Sequence, residues 1–184
     1  MKPTLNFEMN RLNLVQSDRI LCVDPGPVSS GCVDFDGVKV TPVSAEYENN
    51  ELLALIQRIG PGGNGYIKHM AIENIVHYGP EMHAGESTFE TMYWVGRFCE
   101  AIGDGNFTRV SPRDVRLFFT GRTAAPKTAT RRGILAAFPA TGGGKTPEIG
   151  TKSQPGALYG VTGHMLRALA VGLYYLYGQR EDKT

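Results

Sequence analysis

The chain is short of the features that announce whole classes of protein. Among 184 residues there are three cysteines, Cys22, Cys32 and Cys99, an odd number without CxxC spacing. Neither a disulfide framework nor a cysteine-based zinc site follows, and buried free thiols are the simpler reading. No apolar run approaches the roughly 18 to 20 residues that span a bilayer. The opening MKPTLNFEMNRLNLVQ has no apolar core of the secretory type, which places the protein, as an expectation, in a cytoplasm. Of the histidines, His69, His77 and His83 lack paired metal spacing and read as loop or surface residues. Gly142-Gly143-Gly144-Lys145-Thr146 looks like the end of a P-loop, but the glycine required five positions before Gly144 is Pro139. With no strand before it, no nucleotide cofactor is expected there.

What is present is an uneven distribution of charge. Residues 1–108 hold seven Lys and Arg against fourteen Asp and Glu, whereas residues 109–152 hold nine basic residues against Asp114 and Glu148. An acidic half beside a basic segment suits a polyanion partner together with a cation site, although a solvated basic helix face has the same composition. The candidate phosphate-contacting residues are Arg113, Arg116, Lys127, Arg131, Arg132, Lys145 and Lys152, which would position a DNA backbone without reading bases.

Hydrophobic patterning divides the chain into alternating elements. Arg19 to Asp24 reads as a buried strand broken by Pro25-Gly26-Pro27. Gly31–Phe35 and Val38–Val43 flank Asp36-Gly37, a hairpin signal. Asn49–Ile59 has a helical apolar face, and Tyr66–Ile72 is a strand leading to Glu73. Ser87–Ile102 is a helix with Ser87 and Glu90 as a capping-box pattern and Phe89, Met92, Tyr93, Val95, Gly96 and Cys99 as its inner face. Phe107–Val110 is a strand. Ser111-Pro112 opens a helix that Gly121 ends, Pro126–Phe138 is another, and Thr162–Tyr177 is the last. Residues 139–160, rich in Gly, Pro, Thr and Lys, read as a long mobile loop. The order is β-β-β-α-β-α-β-α-α-loop-α, which predicts an α/β fold, a mixed five-stranded sheet with helices on both faces. Residues 1–17 form an arm and residues 18–180 one domain.

Two carboxylates stand out within this scheme. Asp24 and Glu73 each close an apolar strand, and ligands of open α/β sheets gather at the carboxyl ends of strands. Acids placed there can share a hard divalent cation, which activates water and stabilises the leaving oxygen of a phosphodiester. Acids that merely cap surface turns occur at the same positions, and the spacing alone leaves both readings open.

Several segments resemble the RuvC-type Holliday junction resolvases of bacteria and phages. They are Ile20 to Asp36 with Asp24-Pro25-Gly26 and Ser30-Gly31, Ala71-Ile72-Glu73, Thr88 to Ala101 with Gly96-Arg97, and Val110 to Phe118 with Lys127-Thr128. The run Gly150-Thr151-Lys152 through Pro155 to Val161 is similar to a segment of phage resolvases that leads into the last helix, here Gly163 to Val171. The likeness covers about residues 19–177 and rests on order and spacing. It implies an RNase H-like fold, a homodimer, host or bacterial cytoplasm, and cutting of four-way DNA junctions with Mg²⁺ or Mn²⁺, two ions per site.

On that resemblance Asp24 and Glu73 match the first two catalytic acids, and His164 falls where a third ligand is usually Asp. Lys127 matches a lysine near the scissile phosphate, with a solvated lysine as the plain alternative. Arg167 falls where a fourth acid is common, a departure that bears on the second ion. Asp34 and Glu86 are the substitute acids if His164 is a bystander. Tyr78 or Phe89 could wedge against an unstacked base, with core packing the simpler role for Phe89. The implied dimer interface is the helix from Ser87 to Ile102, with Trp94 and Phe98 outward. The resemblance also leaves room for a junction-binding protein with a decayed metal site, a nuclease of RNA–DNA hybrids or flaps, and, more distantly, a structural phage protein.

Overall fold

The computed structural model describes residues 14–15, 17–75 and 85–178. The elements are β1 (Ile20–Asp24), β2 (Ser29–Phe35), β3 (Ala45–Glu48), α1 (Asn49–Ile59), β4 (His69–Glu73), α2 (Glu86–Ile102), β5 (Phe107–Val110), α3 (Pro112–Thr120), α4 (Lys127–Ala136) and α5 (Gly163–Tyr177). They form a five-stranded sheet in the order β3-β2-β1-β4-β5. β1, β2 and β3 pair antiparallel, while β1, β4 and β5 run parallel. The expected mixed sheet with helices on both faces is what forms.

β1 is buried along its whole length because it is the central strand, covered on both faces. Its alternate side chains separate two cores. Leu21 and Val23 pack with α1 and α2 through Leu52, Ile56, Val95 and Phe98. Ile20 and Cys22 pack with α3, α4 and α5 through Phe119, Ile134, Leu169 and Val171. By the same alternation Asp24 and Glu73 turn toward the α5 side, since Val23 is registered with Ile72 and the next pair along is Asp24 with Glu73.

The seat of α5 is cut by two glycines. A Cβ on Gly31 of β2 would lie 2.3 Å from the His164 carbonyl carbon, and one on Gly172 would lie 2.2 Å from Cys22 Sγ. Only glycine lets the helix come this close at its start and at its middle. Gly31 is registered opposite Asp24, so the same contact brings the first turn of α5 beside that carboxylate.

Four sequence expectations give way. The third strand is Ala45–Glu48 and not Val38–Val43. Pro42 has no N–H for the ladder, so only Val40 bridges to Phe35 and pairing resumes beyond the turn. The capping box does not form, because α2 begins at Glu86 after Gly85 and Ser87 already lies in its first turn. The inner face of α2 is Thr91, Trp94, Val95, Phe98, Cys99 and Ile102, while Phe89, Met92 and Tyr93 are exposed. The helix is rotated from the expected setting, and Phe89 does not pack in the core.

Residues 139–160 are built rather than loose. Gly142 N–H donates to Pro147 O, Gly143 N–H to Gln154 O, Gly156 N–H to Ile149 O and Leu158 N–H to Glu148 O. Glycines 142, 150 and 156 lie against one another's backbone so closely that no Cβ fits between them. Leu158 and Val161 anchor the segment in the α5-side core. The composition that suggests mobility is here the requirement for tight backbone packing.

Gly31→Ala or Gly172→Ala should each lower the unfolding free energy by about 1 to 3 kcal/mol, the usual range for overpacking a core contact. Urea denaturation reads this directly. Wild-type stability in both variants would mean that α5 is not held this tightly against the sheet.

Candidate active site

The site lies at the carboxyl ends of β1 and β4, on the α5 side. Behind it, a buried polar network fixes the turn that follows Asp24. Gly26 N–H donates to Ser30 Oγ (3.2 Å), Ser30 Oγ donates to Asn49 Oδ1 (2.6 Å), and Asn49 Nδ2 donates to Gly26 O (3.0 Å). Asn49 N–H also donates to Val28 O, so the start of α1 is bonded into the β1–β2 turn. Sequence reasoning read Asn49 only as a helix start. The cap position is Glu48, which makes no side-chain cap bond, and Asn49 serves the turn instead.

Asp24 is buried, with 5% of its side-chain surface exposed. His164 Nδ1 lies 2.7 Å from Asp24 Oδ2, and Arg167 Nε lies 2.9 Å from the same oxygen. One turn of α5 separates the two residues, so both present to the carboxylate from one helix face. Arg167 Nη2 lies 2.7 Å from His164 Nδ1 and 3.1 Å from Nε2. One guanidinium nitrogen thus lies against the imidazole ring, within reach of both of its nitrogens.

Burial pushes the Asp24 carboxyl above its ordinary value, and Arg167 and His164 oppose that rise. Glu73 is pushed up to about 7, first by burial and then by the charge of Asp24, against the pull of Arg167, Arg116 and Lys127. Two carboxylates are thus held together in a place poor in water. Arg116, whose Nη1 donates to Thr123 O (2.9 Å), and Lys127, the first residue of α4, are near enough to act on Glu73.

The other predicted residues divide by position. Arg113, Lys127, Arg131, Arg132, Lys145 and Lys152 are exposed, and Arg116 is half-buried. Asp34 is excluded as a substitute acid. It lies opposite Leu21, and its Oδ2 accepts bonds from Arg19, Thr41 and Tyr66. Glu86 is exposed at the start of α2, and His69 is a packing residue stacked on Tyr175. His77, Tyr78 and His83 lie outside the described residues.

Among the described residues, no three His, Cys, Asp or Glu side chains are set to hold a metal ion as arranged. The donor types of Asp24, Glu73 and His164, two carboxylates and one imidazole, suit a single divalent ion. Arg167 occupies Asp24 Oδ2 and faces the ring nitrogens, so the set fits an ion only once the guanidinium withdraws. Sequence reasoning met Arg167 as a missing acid and did not foresee this contact. The i, i+3 spacing from His164 was the signal that could have found it.

No family model and no curated sequence matches the chain. Solved structures do. A Thermus thermophilus RuvC in complex with Holliday junction substrate superposes with a TM-score of 0.63 at 14% identity, over 89% of this chain and 96% of that one. A second Thermus thermophilus RuvC structure gives a TM-score of 0.54 at 16% identity over the same shares. The fold is that of RuvC. The sheet places Asp24 and Glu73 at the ends of neighbouring strands.

The charge balance at Glu73 has a measurable consequence in metal-free protein. Its carboxyl titrates near 4.5 when unfolded and near 7 in the fold. Glu73 therefore contributes stability fully below pH 4.5, and that contribution is lost as pH rises through 7. Glu73→Gln should be nearly neutral at about pH 5 and stabilising by about 2 kcal/mol near pH 8. Thermal denaturation in chelator at both pH values checks it, and an equal effect at both would sink the argument.

Proposed function

We propose that the protein is a divalent-cation-dependent endonuclease that hydrolyses phosphodiesters in branched DNA, four-way junctions first among them. The observation that carries this reading is the pairing of Asp24 and Glu73 at adjacent parallel strand ends, with His164 on Asp24 and Arg116 and Lys127 beside Glu73. Asp24, Glu73 and His164 would hold Mg²⁺ or Mn²⁺, one ion with these three donors. Bound there, the ion polarises water and stabilises charge on the leaving oxygen. Lys127 would donate to a phosphate oxygen from the first turn of α4. Arg113, Arg131, Arg132, Lys145 and Lys152 would hold the DNA backbone. The RuvC whose structure is similar was solved with a Holliday junction, which supports four-way DNA as the substrate to try first.

One observation favours a second reading. Arg167 neutralises Asp24 directly, as expected of a junction-binding protein that no longer cuts. A gel assay of four-way junction, duplex and RNA–DNA hybrid with each ion separates the two. The wild type should cut the junction. Asp24→Asn and Glu73→Gln should lose at least about a hundredfold in rate while binding it as well or better. Binding without cutting in either ion would put the second reading first, and preferential cutting of hybrid would point to another RNase H-like nuclease.

A homodimer follows from the need for two opposed cuts. The interface would be α2, but through Phe89, Met92 and Tyr93, because Trp94 and Phe98 are buried in the protomer. Of these, Met92 lines a groove together with Ile75, Gly96, Phe107 and Arg109. Phe89→Ser with Tyr93→Ser should convert a dimer to a monomer in sedimentation at micromolar concentration, and a wild-type monomer would refute the assignment.

A further inference from the structure

We propose that Arg167 is a built-in counter-cation that keeps the divalent-ion ligands closed and must be displaced before an ion loads. This rests on the reading of Asp24, Glu73 and His164 as the ion's ligands, and gives the departing residue a role in that site.

Two contacts and one charge effect carry the inference. Arg167 Nε is bonded to Asp24 Oδ2 at 2.9 Å. Its Nη2 lies 2.7 Å from Nδ1 and 3.1 Å from Nε2 of His164, so the positive charge rests against the imidazole ring. Its charge also acts on Glu73. One guanidinium thus contacts Asp24 and His164, and its charge reaches Glu73. A divalent ion on Asp24 and the His164 ring would meet this guanidinium's charge at contact distance, so each opposes the other's hold on the site.

The arrangement is suited to exchange. The α5 backbone is fixed against β1 and β2 by the close approaches at Gly31 and Gly172, so His164 stays in place when Arg167 leaves. Asp24 is enclosed, but the Arg167 side chain is 47% exposed and has an outward path. A guanidinium keeps its charge at any working pH, so deprotonation cannot release it. Only a competing cation, or an anion drawing the side chain outward, can open the site. A decayed site would bind no ion when Arg167 is removed, whereas a closed one would bind more tightly.

The test is an Mn²⁺ titration of the metal-free protein, with free ion read by electron paramagnetic resonance. Arg167→Ala and Arg167→Gln should each bind Mn²⁺ about tenfold tighter or more, from losing a positive charge in contact with the ligands. Arg167→Lys, which keeps the charge but not the fork, should fall between them and wild type. Asp24→Asn added to Arg167→Ala should cancel the gain. A residue with a merely structural role would give weaker binding when removed, and thermal denaturation of each variant identifies any that fails to fold. Equal or weaker binding in both Arg167→Ala and Arg167→Gln overturns the inference. If wild type still binds and Asp24→Asn abolishes it, the metal-site reading survives that outcome. No Mn²⁺ bound by wild type or any Arg167 variant overturns the metal-site reading and the inference with it.

Discussion

The close seating of α5 on the middle of the sheet is the contact on which the site depends. Asp24 belongs to β1, His164 and Arg167 to the first turns of α5, and 140 residues separate Asp24 from His164. What joins them is the absence of two side chains. Gly31 lets the start of the helix touch β2, and Gly172 lets its middle touch β1. With a helix fixed at two points, the direction of its first turn is set by geometry rather than by the polar contacts made there. That order of cause matters energetically. Taking a carboxylate out of water is costly, and a single partly exposed ion pair does not offset it. The apolar faces of α5 and the sheet supply the stabilisation, and the buried charges are held in a frame that would form without them.

The strand ends were legible in the sequence because a fully buried central strand is an uninterrupted apolar run, and the residue that ends it stands out when charged. Ile20 to Asp24 and Met70 to Glu73 both have this form, and the parallel pairing of β1 with β4 then sets the acids side by side. The helices of the α5 side were legible for a similar reason, since Ser111-Pro112 and Gly121 mark the ends of α3 as local chemistry requires. What could not be read was decided by contact between distant segments. The apolar residues of α2 are spread almost around the helix, so the pattern allowed two settings, and the chosen one buries Trp94 and Phe98 while exposing Phe89 and Tyr93. The glycines of residues 139–160 carry no periodic signal at all. Their role appears only where Gly142, Gly150 and Gly156 meet. The third strand shifted because Pro42 forbids a ladder that Val38, Val40 and Val43 favour by composition.

Charge gives a consistent account of why this site departs from the acid-rich pattern it resembles. Two enclosed carboxylates also repel each other, and the rise of Glu73 to about 7 comes first from burial and then from the charge of Asp24. Four such acids would need the charge of two divalent ions. Here the third position is an imidazole and the fourth a guanidinium. Arg167 opposes the charge of Asp24 and Glu73, so the site is nearer balance than two bare carboxylates would be. Such a site gains stability in the absence of metal and attracts metal less strongly than four acids would. The same substitution changes what surrounds the reacting phosphate. Arg116, Lys127 and Arg167 all act on Glu73, so a polyanion approaching the strand ends meets three cations around two acids. Attraction of the backbone then does not depend on a bound ion.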